Sequence, residues 1–515
     1  MKATIRKNLV LWLTILVLAI FFIAAARGME TSDWVITMLR GLSVGAITFL
    51  VASGFSLIFG LLDVLNLAHG TLFMIGAYVA WVVYVRPDTF VDLLAPGLLI
   101  VSGFLLSSLW DRLRAGIKIQ GAVRKLLPWL GLVLGVVVLG FVLRRYPVTM
   151  WDVGNYAESP VTWSFMADQG LLVLPEGKPF VEISPLVAAI GLLFGSALVA
   201  FSLSLFKGRT QAAVGTGWKQ YLGFLVVTVL GLAAMFANDP LTAFLVGLDS
   251  TWLFLIAVIV AVLFGALLGG LMESTLIRPL YVRPIYQLML TLGLSAIGIE
   301  VVRAIWGRPE FVMPKPSLFA GTGDGCPATS LADWVQYHCS TIFILDGRVR
   351  VYNEIFIPIV GIVVLIAVWV LLQRSKLGMI IRAGVQDSEM VEALGINVRK
   401  VFTLVFALGV GLAALGGALA APSMGLSNAM GDSLFLNALI ALAIGGLTSY
   451  PGAALGSILV GLLQQTIIKY GAIGIPIPFT DIVFKPTPPL VPASTVLLMV
   501  IILLFMPNGL LGKKE

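Results

Sequence analysis

Apolar residues in this chain gather in long unbroken runs and do not alternate with polar ones. A helix needs roughly 20 apolar residues to cross about 30 Å of hydrocarbon. Fourteen segments approach or reach that length, at 8–26, 33–60, 67–85, 94–110, 126–143, 185–206, 220–237, 251–276, 285–306, 355–373, 401–421, 434–449, 453–470 and 494–506. Continuous runs predict helices and argue against an outer-membrane barrel, whose strands alternate apolar and polar positions. The expected fold is all-α, a polytopic transmembrane helical bundle of about 14 spans in a lipid bilayer. The first run follows a basic tip and ends in small residues, as a signal peptide does. Its apolar stretch from Leu9 to Ala26 is longer than the roughly 7–15 residues of a signal-peptide core, so it reads as a retained span.

Composition and charge orient these spans. Hydrophobic residues make up 59% of the 515 and charged residues 11%, against about 25% charged in a soluble domain. Mean hydropathy is +1.02. The net charge of +7 is no nucleic-acid signal, because of where the charges lie. Counted from a cytoplasmic N-terminus, six inner segments hold 20 of the 33 Lys and Arg residues. They are Lys2, Arg6 and Lys7; Arg112, Arg114, Lys118, Arg124 and Lys125; Lys207, Arg209 and Lys219; Arg278 and Arg283; Arg374, Lys376, Arg382, Arg399 and Lys400; Lys513 and Lys514. The longer outer segments hold 11 basic against 18 acidic residues. This is the positive-inside pattern, and it places both termini in the cytoplasm.

Charge within the spans is scarce. Arg40 lies about two turns from the outer end of its span, within reach of the interface by snorkelling. Arg303 follows Glu300 by three residues on one helical face, where the two neutralise each other. The long outer segment 307–354 holds Cys326, His338 and Cys339. The two cysteines form no CxxC and no His/Cys cluster, so neither a metal site nor a thiol catalyst is expected. An oxidising outer compartment would allow a Cys326–Cys339 disulfide; two free thiols are the alternative, and His338 reads as a solvated loop residue. Residues 86–250 look like an inserted module with four spans, a basic inner loop, and an outer loop carrying Trp151, Trp163 and Phe165. The expected organisation is 1–85 as N-terminal core helices, 86–250 as the insertion, and 251–515 as the remaining core.

Polar residues interrupt two of the runs. LLDVLNLAHG (61–70) carries Asp63, Asn66, His69 and Gly70 ahead of a new run, TLFMIGAYVAW. Polar groups at membrane depth are tolerated where broken helices line a cavity, as transporters often arrange. A break at 63–70 would aim the amide end of the next helix at a translocation path lined by Asn66, His69 and Gly70. GLSNAMGDSLFLNALIALAIGG (425–446), with Asn428, repeats the arrangement in a span of opposite direction, as an inverted repeat would. For His69 the alternative is a structural hydrogen bond to a carbonyl at the cytoplasmic interface. Gly41/Gly45, Gly265/Gly269 and Gly452/Gly456 have the GxxxG spacing that lets helix backbones approach closely.

QRSKLGMIIRAGVQDSEMVEALGINVRKVF (373–402) is the most informative inner segment. Asp387 can cap a short helix, Gly395 can end it in the left-handed conformation, and Asn397 can cap the next span. Met390, Val391 and Leu394 are expected on one face, giving an amphipathic helix along the inner membrane surface; an ordinary solvated loop accounts for the same residues. The segment resembles the ATPase-docking loop of branched-chain amino-acid ABC transporter permeases through Arg382, Ala383, Asp387, Ala393, Leu394, Gly395, Ile396 and Lys400. GLLDVLNLAHGTLFMIGAYVA (60–80) is similar to the family's G….NFAHG….GAY segment, with Leu67 where phenylalanine is usual. IRPLYVRPIYQLMLTLGLS (277–295), AIGGLTSYPGAALGSILVGLLQ (443–464) and MPNGLLG (506–512) resemble its other motifs, the last with Met506 in place of arginine. The resemblance covers about 1–85 and 251–515 and has no counterpart for 86–250.

This resemblance implies a permease subunit of an ABC importer in the bacterial inner (cytoplasmic) membrane. It would pass branched-chain amino acids or related small amino acids and amides. The implied partners are a second homologous permease subunit, two ATP-binding cassette subunits that carry ATP and Mg²⁺, and a periplasmic or lipid-anchored substrate-binding protein. The chain has no GxxxxGK[ST] phosphate loop, so it is expected to bind no cofactor and to be no enzyme. The competing reading is a secondary carrier driven by an ion gradient, whose membrane carboxylates would be Asp63, Glu273 and Glu300.

Overall fold

A computed structural model describes residues 22–116, 122–148, 183–206, 218–281, 283–307, 312–476 and 483–512, with isolated positions besides. The expected first span at 8–26 falls mostly outside the described residues, and Trp151, Trp163 and the basic residues at both termini lie outside them. Nine helices among the described residues are long and apolar enough to cross a membrane. The number is ten if Gln220–Phe236 and Asn238–Val246, bent by 79°, act as one span. His69–Val85, Met430–Gly445 and Leu490–Phe505 are apolar but shorter. The fold is thus an all-α polytopic bundle, and its helices are far less uniform than fourteen equal spans.

The chain divides into two compact units, one of residues 1–84, 161–170 and 249–515, the other of 85–160 and 171–248. The larger is built on α1 (Thr31–Leu62), α2 (His69–Val85), α3 (Ser250–Met272), α4 (Pro284–Trp306), α5 (Leu331–Tyr337), α6 (Ile357–Arg374), α7 (Lys376–Gln386), α8 (Ser388–Ala393), α9 (Val398–Met424), α10 (Met430–Gly445), α11 (Tyr450–Ile473) and α12 (Leu490–Phe505). Every residue of α1 from Gly45 to Ile58 is buried, as a helix apolar on all sides should be. Its neighbours include α6, α9, α10 and α11. With lipid as apolar as leucine, such contacts depend on close backbone packing. All three GxxxG pairs are used within the chain. Gly41 and Gly45 meet Leu462 and Ile458 of α11, Gly265 and Gly269 meet Ala414 and Val410 of α9, and Gly452 and Gly456 meet Gly445 and Ala441 of α10.

Chain direction gives this bundle two ends. The basic end carries the turn at 63–68, the segment 375–397 and the turn at 446–449. The loop end carries the excursion 312–350. There Ser330 and Asp333 form a reciprocal capping box on α5, and the Thr329 and Ser330 hydroxyls hold the Asp333 carboxyl below the ordinary carboxylate range. Strands β1 (Thr341–Ile344) and β2 (Gly347–Arg350) pair antiparallel, Thr341 opposite Arg350. Cys326 and Cys339 are joined by a disulfide, and His338 is an exposed residue that ends α5. Phe319 anchors the excursion through ring contacts with Trp334, Tyr352 and Phe356.

In the smaller unit the expected span at 94–110 is instead Pro87–Leu105, followed after Leu106 by the separate helix Ser107–Gly116. Pro87 suits a first helical position. The charged side chains of 86–92 have partners in place: Arg86 donates to both Asp88 oxygens at 3.0 and 2.8 Å, and the Asn238 amide donates to Asp92 at 2.9 Å. The helices Pro87–Leu105, Ala122–Arg145, Pro185–Phe206 and Trp218–Phe236 share a core that includes Leu99, Val142, Leu192 and Met235.

A side chain at Gly417 of α9 would collide with the Phe73 carbonyl of α2, whereas Gly140 in the smaller unit has open space around it. Gly417→Val should therefore cost about 1–3 kcal/mol by overpacking. It should also lower the monodisperse yield in detergent, while Gly140→Val leaves yield and unfolding temperature unchanged. Size-exclusion profiles and thermal unfolding of the two variants check this.

Candidate functional site

α1 ends at Leu62 because Asp63 takes the left-handed conformation (φ 52°). The chain then turns back into the bundle, and α2 starts at His69, which is fully buried. His69 Nε2 lies 3.0 Å from the Val51 carbonyl, roughly three turns before the end of α1. The start of α2 is therefore buried in the bundle, and His69 makes the carbonyl hydrogen bond that a structural role requires. α10 also starts inside. After a turn at Gly425 (φ 74°), Met430 and Gly431 are both buried.

The two helix starts touch. A Cβ at Gly70 would fall 2.6 Å from the Gly431 carbonyl oxygen and 2.7 Å from Phe435 Cβ, so only glycine fits this approach. Phe55, His69 and Phe435 surround the contact, with ring centroids 5.6 to 6.4 Å apart. Since α2 runs toward the loop end and α10 toward the basic end, two broken spans bring opposed amide ends together. This is the geometry of discontinuous transporter helices.

Two polar atoms here lack partners. Asn66 Oδ1 accepts from the Ala68 N–H at 3.2 Å, but Asn66 Nδ2 and His69 Nδ1 are buried without a hydrogen-bond partner in the protein. The Val51 carbonyl can only accept, so Nε2 carries the histidine proton and Nδ1 is left as an unpaired acceptor. Leaving a buried polar atom unpaired costs about 1–3 kcal/mol. Asn428 stands apart from this pair. Its Oδ1 accepts from Tyr78 and its Nδ2 donates to the Gly307 carbonyl, both at 3.2 Å.

A polar cavity of about 390 Å³ lies at the loop end. Its wall includes Arg40 of α1, Glu354 in the helical turn Val351–Phe356, Ser423 of α9, Leu434 and Asn437 of α10, and Gln464 and Gln465 of α11. Arg40 Nε donates to Glu354 Oε1 at 2.9 Å, so Arg40 is paired across the bundle and does not merely snorkel. Leu434 lines the cavity and its neighbour Phe435 belongs to the ring cluster below. The sequence reading missed this cavity.

At the basic end, α7 was also missed. Ser375 caps it, its Oγ accepting from the Gly378 N–H at 2.9 Å. Arg382 donates to the Leu372 carbonyl, and the Ala383 carbonyl accepts from the Asp387 N–H. Asp387 Oδ1 caps α8 by accepting from the Met390 N–H at 2.9 Å. Gly395 ends the segment at φ 81°, the Ile396 N–H donates back to the Val391 carbonyl, and Asn397 caps α9 by accepting from the Lys400 N–H at 3.1 Å. The expected common face is corrected. Val391 is buried, while Met390 and Leu394 are 66% and 75% exposed, because residues four apart share a face and Val391 is rotated about 100° from Met390.

One turn into α9, Thr403 donates to Glu273 Oε2 at 2.6 Å. Glu273, fully buried in the π-turn Glu273–Ile277, also accepts from Arg278 at 3.1 and 2.7 Å and from the Tyr281 hydroxyl at 2.9 Å. This network ties the α3–α4 break to the base of α9. Glu300 is paired with Arg303 at 2.6 Å, and Asp63 is an exposed helix end. Two of the three carboxylates that an ion carrier could use are thus held in ion pairs.

Comparison with known proteins follows the same motifs. Residues 37–205 and 186–507 match the family described as branched-chain amino acid transport system / permease component. The high-affinity branched-chain amino acid transport system permease protein LivH of Escherichia coli K12 is 25% identical over 318 residues, 60% of this chain and 93% of that one. BraD of Pseudomonas aeruginosa, a permease protein of the same description, is 27% identical over 321 residues, 60% of this chain and 94% of its own. The fructose import permease protein FruF of Bifidobacterium longum is 29% identical over 121 residues, 22% of this chain and 34% of its own. No solved structure matches. With matched segments running across most of its length, the chain belongs to the branched-chain amino acid transport permeases, as an integral multi-pass membrane protein and not an enzyme.

Proposed function

We propose that this chain is the membrane-spanning permease subunit of an ABC importer for branched-chain amino acids or related small amino acids and amides. The observation that carries this reading is the pair of opposed, buried helix starts at Gly70 and Gly431, where Asn66 Nδ2 and His69 Nδ1 offer an unused donor and acceptor. Solute enters the polar cavity at the loop end, passes the Phe55–His69–Phe435 cluster, and leaves toward the basic end. The named amino-acid permeases align over nearly their whole length and the fructose permease over about a third of its own, which favours an amino-acid cargo.

The driving force comes from separate subunits. Met390 and Leu394 present an apolar contact on α8 to an ATPase below the membrane. Displacement of α8 passes through the Asn397 cap to α9, and through Thr403 and Glu273 to α3. The working complex holds a second homologous permease, two ATP-binding cassette subunits carrying ATP and Mg²⁺, and a substrate-binding protein seated at the loop end. It sits in a bacterial inner membrane with both termini and the 375–397 segment in the cytoplasm.

Uptake into proteoliposomes should require the ATPase subunits and ATP; uptake by this chain alone on an ion gradient would identify a secondary carrier instead. Met390→Glu combined with Leu394→Glu should lower ATP-driven uptake about 30-fold, the loss of an interface hot spot worth about 2 kcal/mol, with membrane insertion intact. Asn66→Leu should reduce uptake about tenfold, the value of one hydrogen bond of about 1.4 kcal/mol, without altering basal ATP hydrolysis. Wild-type rates in that variant would return residues 63–70 to a purely structural role.

A further inference from the structure

The loop-end cavity has one ion pair in its wall. Arg40 Nε meets Glu354 Oε1 at 2.9 Å, with the Arg40 side chain 43% exposed and that of Glu354 3% exposed. Glu354 Oε2 is held by the Arg350 N–H at 2.6 Å, and among the described residues Arg40 alone reaches Oε1. Withdrawing Arg40 with nothing in its place would leave a buried carboxylate uncompensated, the most costly way to open such a pair. The rest of the polar wall is the side chain of Arg350, the hydroxyls of Ser43 and Ser423, and the amides of Asn353, Asn437, Gln464 and Gln465. Gln464 Nε2 donates to Asn437 Oδ1 at 3.2 Å, which leaves Asn437 Nδ2 and Gln464 Oε1 without a partner among the described residues. At about 390 Å³ the cavity falls within the roughly 300–1,000 Å³ typical of small-molecule sites.

We infer that Arg40 and Glu354 are the specificity-determining residues of this cavity, an exchangeable pair that binds the two charges of a free α-amino acid. This rests on the permease reading above. The solute's ammonium takes the place of Arg40 on Glu354 Oε1, and its carboxylate takes the place of Glu354 on the Arg40 guanidinium, whose forked donors suit a carboxylate. Both protein charges stay compensated, and no proton is gained or lost. A lone anion satisfies Arg40 and strands Glu354; a lone amine does the reverse. A neutral amide or sugar supplies neither charge and leaves the pair closed. Selection for the ammonium thus follows from the burial of Glu354, and selection for the carboxylate from the forked donors of Arg40. Exchange also releases α1 from the turn Val351–Phe356, since this ion pair joins them.

The test is equilibrium binding of radiolabelled leucine to the purified full-length chain in lipid nanodiscs. Saturable binding is expected, displaced by unlabelled leucine but not by tenfold excess of 4-methylpentanoate or 3-methylbutylamine, which carry one charge each. Arg40→Gln and Glu354→Gln should each weaken binding at least tenfold, and Arg40→Lys should recover part of the loss. No saturable leucine binding by the wild type overturns the inference. So does displacement by either singly charged analogue, a readout that needs no variant to fold. Unchanged binding in either glutamine variant overturns it as well while leaving the permease reading standing. That reading fails separately, if ATP and the ATPase subunits drive no uptake in the wild-type complex.

Discussion

A helix that begins inside an apolar bundle leaves its first amide groups with no intrahelical acceptor and no water. α2 and α10 both begin this way, and the rest of the larger unit is arranged around that constraint. Glycines at 70 and 431 let the two starts meet, the rings of Phe55, His69 and Phe435 enclose them, and the Val51 carbonyl of α1 fixes the histidine. The central helix is buried on all sides for the same reason: it must wall off two broken spans at once. Asn66 Nδ2 and His69 Nδ1 stay buried and unpaired in this segment.

The two ends of the bundle carry different chemistry. At the loop end, a disulfide, a capping box and an aromatic anchor hold a folded excursion beside a cavity walled by ions and amides. At the basic end, three successive caps at Ser375, Asp387 and Asn397 build two short helices in a row. Glu273 then binds the base of α9 to the break between α3 and α4. α9 thus runs from the capped segment at the basic end to the cavity wall at the loop end.

The all-helical class and most spans were legible in the runs of apolar residues, because in lipid the backbone must satisfy itself within each helix. The caps at Asp387 and Asn397 and the left-handed Gly395 were also legible, since capping is a local interaction between residues three apart. Three features were not. The Arg40–Glu354 pair joins residues more than three hundred positions apart, and no local pattern marks such a contact. The face of α8 was misread because a stretch of six residues is too short for periodicity to distinguish Val391 from Met390. The start of the helix at Pro87 was placed too late, since Arg86, Asp88 and Asp92 read as loop charges until their buried partners are known. Gly431 and Phe435 had a usable signal in the stretch 425–446, where a glycine precedes a phenylalanine as the helix begins, but only the fold says which glycine they face.

The length of α1 has a further consequence. Its 32 residues make a rod of about 48 Å, well beyond the roughly 30 Å of a bilayer's hydrocarbon. Such a rod must lean or protrude, and its angle is set by the helices clamped around it. A thicker or thinner bilayer would therefore strain this rod first, so the lipid composition of the host membrane becomes a physical variable acting on the same helix that walls the loop-end cavity.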